Sequence, residues 1–193
     1  MKQIELKGKV IDLGAKNGKS SYYRFLNVEN VTYVDFYERN ENIIQIDLES
    51  EFPLKNNLFD HVILFNTLEH VFNYQNCLNE SIRILNPGGK LHGVVPFLVQ
   101  FHSDPYDYFR YTHQSLEIIL KRAGFECVNI TQIGTGCITC ASHLCSRIVK
   151  FKPFVFIIWF FAIQIDKLLT YLWKNNKNYY VGLSFKAVKP QKI

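Results

Sequence analysis

The sequence predicts an α/β fold built on a parallel sheet with helices on both faces. Three observations carry this. Short apolar runs that end in an acid or a turn residue alternate with stretches of helical spacing, and a parallel neighbour can be reached only through a crossover. Between the fourth and fifth runs, Val71, Leu78, Ile82 and Leu85 recur at helical spacing, so a strand, a helix and a strand follow one another. The chain has 193 residues, 48% hydrophobic and 20% charged, which suits one folded domain with a full core.

The elements follow in order. "KVIDLG" reads as the first strand and "VTYVDF", with Asp35, as the second. "NIIQIDL", with Asp47, is the third and "HVILFN" the fourth. "KLHGVVPF" is the fifth, entered through the turn "NPGG". Between the fourth and fifth, "EHVFNYQNCLNESIRIL" places Val71, Leu78, Ile82 and Leu85 on one helical face. "THQSLEIILKRAGF" is a second helix, capped by Thr112 or Ser115 and stopped by Gly124. "ECVNITQIG" is the sixth strand and "YYVGLSFKAVK" the last. Residues 135–178 form an insertion between these two strands, holding a long apolar helix, so residues 1–193 read as a single domain with one appendage.

The net charge is +5, and from Lys150 onward eight lysines face Asp166 alone, so this segment carries +7 and the remainder −2. The basic charge travels with the most apolar segment instead of spreading over the body, which argues against a nucleic-acid partner. The start, "MKQIELKGK", has no apolar run, so no signal peptide is expected. Five cysteines without an export signal read as reduced thiols of a cytoplasmic protein. Cys137, Cys140, His143 and Cys145 are too compactly spaced for paired zinc knuckles and read as small residues along a helix, so no metal is expected.

The stretch "VIDLGAKNGKSS" carries the first chemical signal. A phosphate-cradling loop of the form G-x-x-x-x-G-K-[ST] needs four residues between its glycines, and Gly14 and Gly18 enclose only three. A dinucleotide loop, G-x-G-x-x-G, would have Lys16 and Lys19 where glycines let the backbone touch a pyrophosphate. Asp12-Leu13-Gly14-Ala15-Lys16-Asn17-Gly18 instead resembles the first motif of class I S-adenosylmethionine-dependent methyltransferases, D-x-G-x-G-x-G, with one glycine replaced. "FDHVILFNTLEHV" resembles the fourth-strand segment of that superfamily, and "RILNPGGKL" the turn into its fifth strand. The resemblance covers residues 8–133 and the last strand. It implies a Rossmann-like seven-stranded sheet, mostly parallel with an antiparallel last strand. "VPFLVQFHSDPYDYFRYTHQSLEIIL" further resembles a subgroup associated with bacterial surface-polysaccharide genes.

The resemblance implies S-adenosylmethionine as cofactor, held at the carboxyl ends of the strands. Asp12, Gly14, Ala15 and Gly18 would form its loop. Asp35 would accept from both ribose hydroxyls, as an acceptor-only group with two oxygens suits a diol. Asp47 and Leu48 would meet the adenine, and Asn66 would border the methionine. Glu69 opens the following helix, where the dipole alone favours an acid, and His70 faces the same cleft.

The segment His102 to Thr112 is the candidate acceptor site. Imidazole is the side chain most often used as a base at neutral pH, so His102 is the expected base for a hydroxyl acceptor, oriented or replaced by Asp104 or Asp107. Tyr106, Tyr108 and Tyr111 offer flat faces and hydroxyls for a sugar or polar ring, and Arg110 could hold an anionic group. The alternative is a structured loop in which Asp107 and Arg110 pair with each other.

"FVFIIWFFAIQIDKLLTYLW" has an uninterrupted apolar core of only ten residues, Phe154 to Ile163, short of the ~20 a span requires. Its flanking lysines and two tryptophans favour a helix in the membrane interface across residues 150–178. The alternatives are a contact with its own domain, a homodimer contact, and true insertion. The expected function is methylation of a hydroxyl on a sugar or lipid-linked saccharide, by a cytoplasmic protein peripheral to the inner membrane. The rivals are a methyltransferase of a small quinone-like molecule and a catalytically silent partner protein, the latter suggested by Lys16.

Overall fold

The computed structural model describes residues 4–15, 20–37, 43–146 and 151–191. Seven strands form one sheet: β1 (Ile4–Leu13), β2 (Leu26–Asp35), β3 (Ile43–Gln45), β4 (Phe59–Phe65), β5 (Leu85–Pro96), β6 (Glu126–Ile133) and β7 (Gly182–Val188), in the order β3-β2-β1-β4-β5-β7-β6. The pairings from β3 to β5 are parallel. β7 runs antiparallel to both of its neighbours, β5 and β6. This is the Rossmann-like methyltransferase sheet that the motifs imply.

Because successive side chains alternate between faces, each strand divides its apolar residues. Ile11 and Leu13, Val62 and Leu64, Leu91 and Val95, and Leu183 and Phe185 point to one side and form the main core. Two helices cover that side. α1 (Tyr74–Ile84) contributes Cys77, Leu78 and Ile84, and α2 (His113–Arg122) contributes Leu116, Ile119 and Leu120. The opposite face carries a smaller cluster of Leu6, Val10, Leu26 and Ile63, packed by Tyr22 and Tyr23 of a 3-10 helix at Ser21–Phe25. Across β5, β7 and β6 the same face turns polar: His92 lies opposite Lys186, and Lys186 opposite Asn129.

Several expectations are corrected. The helix expected over 69–85 is split into a 3-10 turn at Leu68–His70 and α1, which begins at Tyr74. Asn73 sets that start, since its side chain accepts from the Asn76 N–H at 3.3 Å. Leu85 belongs to β5. The third strand is only three residues long, so Asp47 lies beyond it in a turn. Thr112, not Ser115, caps α2, accepting from the Ser115 N–H at 3.2 Å. Lys16 and Gly18 lie outside the described residues.

Arg83, near the end of α1, fastens the loop between β3 and β4. It donates to the carbonyls of Leu54 at 2.7 Å and Phe52 at 2.9 Å and pairs with Glu80 at 2.6 Å. Glu80 in turn accepts from the Phe52 N–H at 2.7 Å. Phe52 is thereby held in the core at 1% exposure.

The insertion is a helical hairpin of α3 (Cys137–Ser146) and α4 (Lys152–Leu172). Asp166 of α4 is fully buried and accepts the first free N–H groups of α3, from Ile138 at 3.1 Å and Thr139 at 2.7 Å. Asn176 closes the base by donating to Asp166 at 3.1 Å and accepting from the Cys137 N–H at 3.0 Å. α4 continues well past the ten-residue apolar core. The most apolar part of Pro153–Leu172 has a mean hydropathy of 1.7 and is only 11% buried. Phe156, Phe160, Phe161, Leu168 and Leu172 are each at least 59% exposed. The excursion leaves and re-enters the sheet at one place, because Ile133 and Gly182 are register partners. Crossing a bilayer and returning would take two helices of ~20 residues, and α3 has ten.

Candidate active site

The parallel register brings the carboxyl ends of β1, β2 and β4 to one edge, where Gly14, Asp35 and Asn66 line a pocket of about 430 Å³. This volume lies within the usual ~300–1,000 Å³ of small-molecule sites. Gly14 has φ +101°, and a Cβ there would stand 2.6 Å from Thr67 Oγ1. Only glycine satisfies both the left-handed backbone and that approach. Asn66 also takes a left-handed conformation, φ 51°, which asparagine tolerates better than most residues. Its N–H donates to the Val94 carbonyl at 2.8 Å, turning the chain out of β4 across the pocket floor.

Asp35 lies on the wall at the end of β2, where one carboxylate oxygen accepts from the Tyr37 N–H at 2.8 Å. Asp47 and Leu48 are also on the wall. Both oxygens of Asp47 serve its own turn, accepting from the Glu49 N–H at 2.9 Å and the Ser50 hydroxyl at 3.2 Å. The wall is completed by residues the motif reading passed over, among them Phe36, Tyr37, Glu49 and Thr67. Phe36 and Tyr37 directly follow Asp35, so an aromatic pair after a strand-ending acid was their available signal.

Asp12 and Ala15 do not line this pocket. Asp12 sits on the opposite face of the sheet, 1% exposed, accepting from the Tyr22 hydroxyl at 2.6 Å and from the Tyr23 hydroxyl. Its other oxygen is buried without a partner. Burial pushes its pKa up to about 6, against the opposing effect of the two hydroxyls. Ala15 is fully buried, and its N–H donates to the Val34 carbonyl at 3.0 Å.

The acceptor segment is pinned over the pocket mouth by the N–H groups of Tyr108 and Phe109, which donate to the Glu69 carbonyl at 2.9 and 3.3 Å. Asp104, Tyr106 and Tyr108 then line the pocket together with His70. Asp107 and Arg110 pair with each other and do not line the pocket. Arg110 grips Asp107 with two nitrogens, one at 2.7 Å, and Asp107 also accepts from the His102 N–H at 2.8 Å. The guanidinium holds the Asp107 carboxyl down at about 2. Tyr111 is 5% exposed and its hydroxyl donates to the Leu68 carbonyl at 3.3 Å, so it is a core residue.

Behind His70 lies a second convergence. Glu69 is fully buried, and neither carboxylate oxygen has a hydrogen-bond partner. Burial pushes its pKa up to about 7. His70 Nε2 lies 3.7 Å and His102 Nε2 3.8 Å from Glu69 Oε1. The His70 Nδ1 group meets the Tyr106 carbonyl, and the His102 Nδ1 group the Gln100 carbonyl at 3.0 Å. A carbonyl only accepts, so each ring carries a hydrogen on Nδ1, and Nε2 is the nitrogen nearest Glu69. The expected base thus faces a buried carboxylate at the rim and is not a lone imidazole on the pocket wall.

The sheet order, with a pocket at its carboxyl edge, is that of the Rossmann-like methyltransferase fold. A methyltransferase domain family matches residues 11–92, from β1 into β5. Over that stretch the chain is similar to class I S-adenosylmethionine-dependent methyltransferases. An S-adenosylmethionine-dependent methyltransferase from Thermotoga maritima aligns with a TM-score of 0.60 at 16% identity, over 95% of this chain and 83% of that one. The phosphoethanolamine N-methyltransferase 2 of Haemonchus contortus, solved with S-adenosyl-L-methionine, aligns with a TM-score of 0.55 at 17% identity, over 99% of this chain and 50% of that one. The cyclase SpnF is similar too, with a TM-score of 0.62 at 17% identity over 98% and 77% of the two chains. At such identities the likeness is one of fold, and the acceptor must be argued from the site. No curated protein matches the sequence.

Proposed function

We propose that the protein transfers a methyl group from S-adenosylmethionine to a hydroxyl of a saccharide, free or lipid-linked, presented at a membrane surface. The observation that carries this reading is the make-up of the pocket mouth. Tyr106 and Tyr108 lie with ring centroids 5.5 Å apart beside Asp104 and His70, a set of flat faces and polar groups that suits a sugar ring. The cofactor would lie deeper, with Asp35 on the ribose, Asp47 and Leu48 near the adenine, and Gly14 and Asn66 along the methionine. In the transfer, an acceptor oxygen lone pair forms the new C–O bond as the C–S bond breaks, and the sulfur keeps the bonding pair. The hydroxyl proton is lost, leaving an ether and S-adenosylhomocysteine. The protein's part is alignment and exclusion of water. Glu69, His70 and His102 stand at the acceptor rim as the activating group.

The exposed apolar face of the α3–α4 hairpin supports the membrane part of the reading. Lys167, Lys174 and Lys177 supply the basic rim that anionic headgroups attract. A quinone-like acceptor is the second reading, favoured by the aromatic cluster of Phe72, Tyr108 and Phe109 behind the mouth. Radiolabelled methyl transfer to saccharide, lipid-linked saccharide and quinone-type acceptors, with and without anionic vesicles, separates the two. Incorporation into the saccharide classes, enhanced by vesicles for the lipid-linked one, is expected; incorporation into the quinone class alone overturns the first reading. His102→Ala should lower turnover at least tenfold while cofactor affinity by calorimetry stays within about twofold, and unchanged turnover would remove His102 from the chemistry.

A further inference from the structure

We propose that Glu69, His70 and His102 form a binding site for a divalent transition-metal ion of the zinc class at the acceptor rim of the pocket. One donor atom from each of the three residues lies within 4.8 Å of the other two. The Glu69 side chain is 0% exposed, and both its oxygens lack a hydrogen-bond partner. A fully buried carboxylate in that condition is costly, and the Arg110 guanidinium that acts on it from a distance is hydrogen-bonded to Asp107 and not to it. Both imidazoles spend an Nδ1–H on backbone carbonyls, so in the neutral form of each ring Nε2 is the ligating nitrogen, and it stands beside the carboxylate. The separations of 3.7 and 3.8 Å are too long for hydrogen bonds. They exceed by a few tenths of an ångström the roughly 3.0–3.5 Å between ligand atoms that each stand about 2.0–2.1 Å from a shared ion, and the two imidazole nitrogens, within 4.8 Å of each other, would have to close further on binding.

The surroundings have the other marks of a metal site. An imidazole that ligates through Nε2 usually donates its Nδ1–H to a backbone carbonyl, which fixes the ring; the carbonyls of Tyr106 and Gln100 do this here. The carboxylate is oriented by its own backbone, whose carbonyl accepts from the N–H groups of Tyr108 and Phe109. The loop carrying His102 is locked by the Asp107–Arg110 pair, so the third donor does not have to be ordered on binding. Two imidazoles and one carboxylate favour zinc, iron or manganese over magnesium or calcium, which take oxygen ligands. Three protein ligands leave a coordination position open, and because His70 also lines the pocket, that position adjoins the acceptor side. An ion there would draw charge from an acceptor hydroxyl as a Lewis acid. The site itself does not depend on which acceptor is used.

The test uses the full chain stripped with a chelator and titrated with zinc by calorimetry, and with cobalt(II) as a visible-absorption probe. One ion per chain is expected, without a thiolate-to-metal band. His102→Ala and Glu69→Gln should each weaken binding at least about a hundredfold. His92→Ala, in the other histidine pair at 3.1 Å from His61, should leave it unchanged, as should the double variant Cys137→Ser/Cys145→Ser. Circular dichroism of each variant distinguishes lost binding from lost fold, and His102, on the surface loop, is the variant that retains the fold. The proposal is overturned if no ion binds, if His102→Ala binds as tightly as the unaltered chain, or if the cysteine variant alone loses the ion.

Discussion

Replacing Asp12 by asparagine removes one charge from the buried face of the sheet and keeps an oxygen for the Tyr22 and Tyr23 hydroxyls. In the folded protein the Asp12 pKa stands at about 6 against its ordinary value of 3.8, a rise of roughly two units, worth about 3 kcal/mol between the two protonation states. The sign follows from proton counting. Between those values the folded chain holds a proton that the unfolded chain has released, so this contribution is fully present below about pH 3.8 and is lost as pH rises through about 6. The substituted amide would be neutral throughout and carry no such dependence. His61 and His92 oppose the trend, because burial lowers both, His92 to about 4. They are present in both proteins and cancel in the comparison. Urea unfolding of both proteins at a series of pH values from about 4 to 7.5 is the assay. The stability difference should move by about 3 kcal/mol in favour of Asp12→Asn as pH rises. Any fixed cost of the new amide shifts the two curves apart without changing their relative slope. Parallel curves would refute the reasoning, since they would mean that Asp12 is charged in the folded protein at no cost.

Two further outcomes follow from the same geometry. Asp35→Ala should weaken cofactor binding about ten- to a hundredfold by calorimetry, from the roughly 1.5–3 kcal/mol of hydrogen bonds to a charged acceptor, while the thermal midpoint changes little because the side chain is only half-buried; undiminished affinity would remove it from the ribose site. Arg83→Ala should cost about 2 kcal/mol by releasing the carbonyls of Phe52 and Leu54 and stranding Glu80, whereas Lys121→Ala, in an exposed pair with Glu117, should cost no more than about 0.5 kcal/mol. Equal losses in chemical denaturation would mean that the Arg83 network does not hold the loop.

The strands were legible because each is a run of apolar residues too short for a helix and bounded by an acid or a turn. The helix over 69–85 was misread for an equally local reason. Periodicity alone extends through Val71, but the Asn73 cap and a preceding turn of 3-10 helix override it. Asp35 and Asn66 could be placed because a parallel sheet delivers strand ends to one edge. Asp12 could not: its partners, Tyr22 and Tyr23, lie ten and eleven residues on, and nothing in the motif says that two tyrosines will cover the second face of the sheet. Arg110 and Asp107 are three apart in an irregular segment, where only the folded loop decides between a ligand and each other. Glu69 was ambiguous for the same reason. An acid at a helix start is stabilised by the dipole alone, and its lack of partners emerges only when residue 102 arrives beside it from a distant loop.

The position of the hairpin is a consequence of topology and not of its own sequence. β6 has the same direction as β1, β2, β4 and β5, so it ends at the edge where those strands end. β7 is antiparallel to both of its neighbours, so it begins at that same edge. Any segment inserted between β6 and β7 must therefore project from the side of the sheet that holds the pocket. Pro96 and Gly182 are register partners, and the Phe97 N–H donates to the Val181 carbonyl at 2.8 Å, which ties the segment leaving β5 toward the acceptor loop to the base of the excursion. Tyr180 stacks on Phe97 with ring centroids 4.7 Å apart. An apolar surface that starts here shares its footing with the acceptor loop, so whatever covers the hairpin is held on the same side of the sheet as the pocket mouth. Had the last strand been parallel, the link would have had to return to the opposite edge, and the same apolar residues would have projected away from the chemistry.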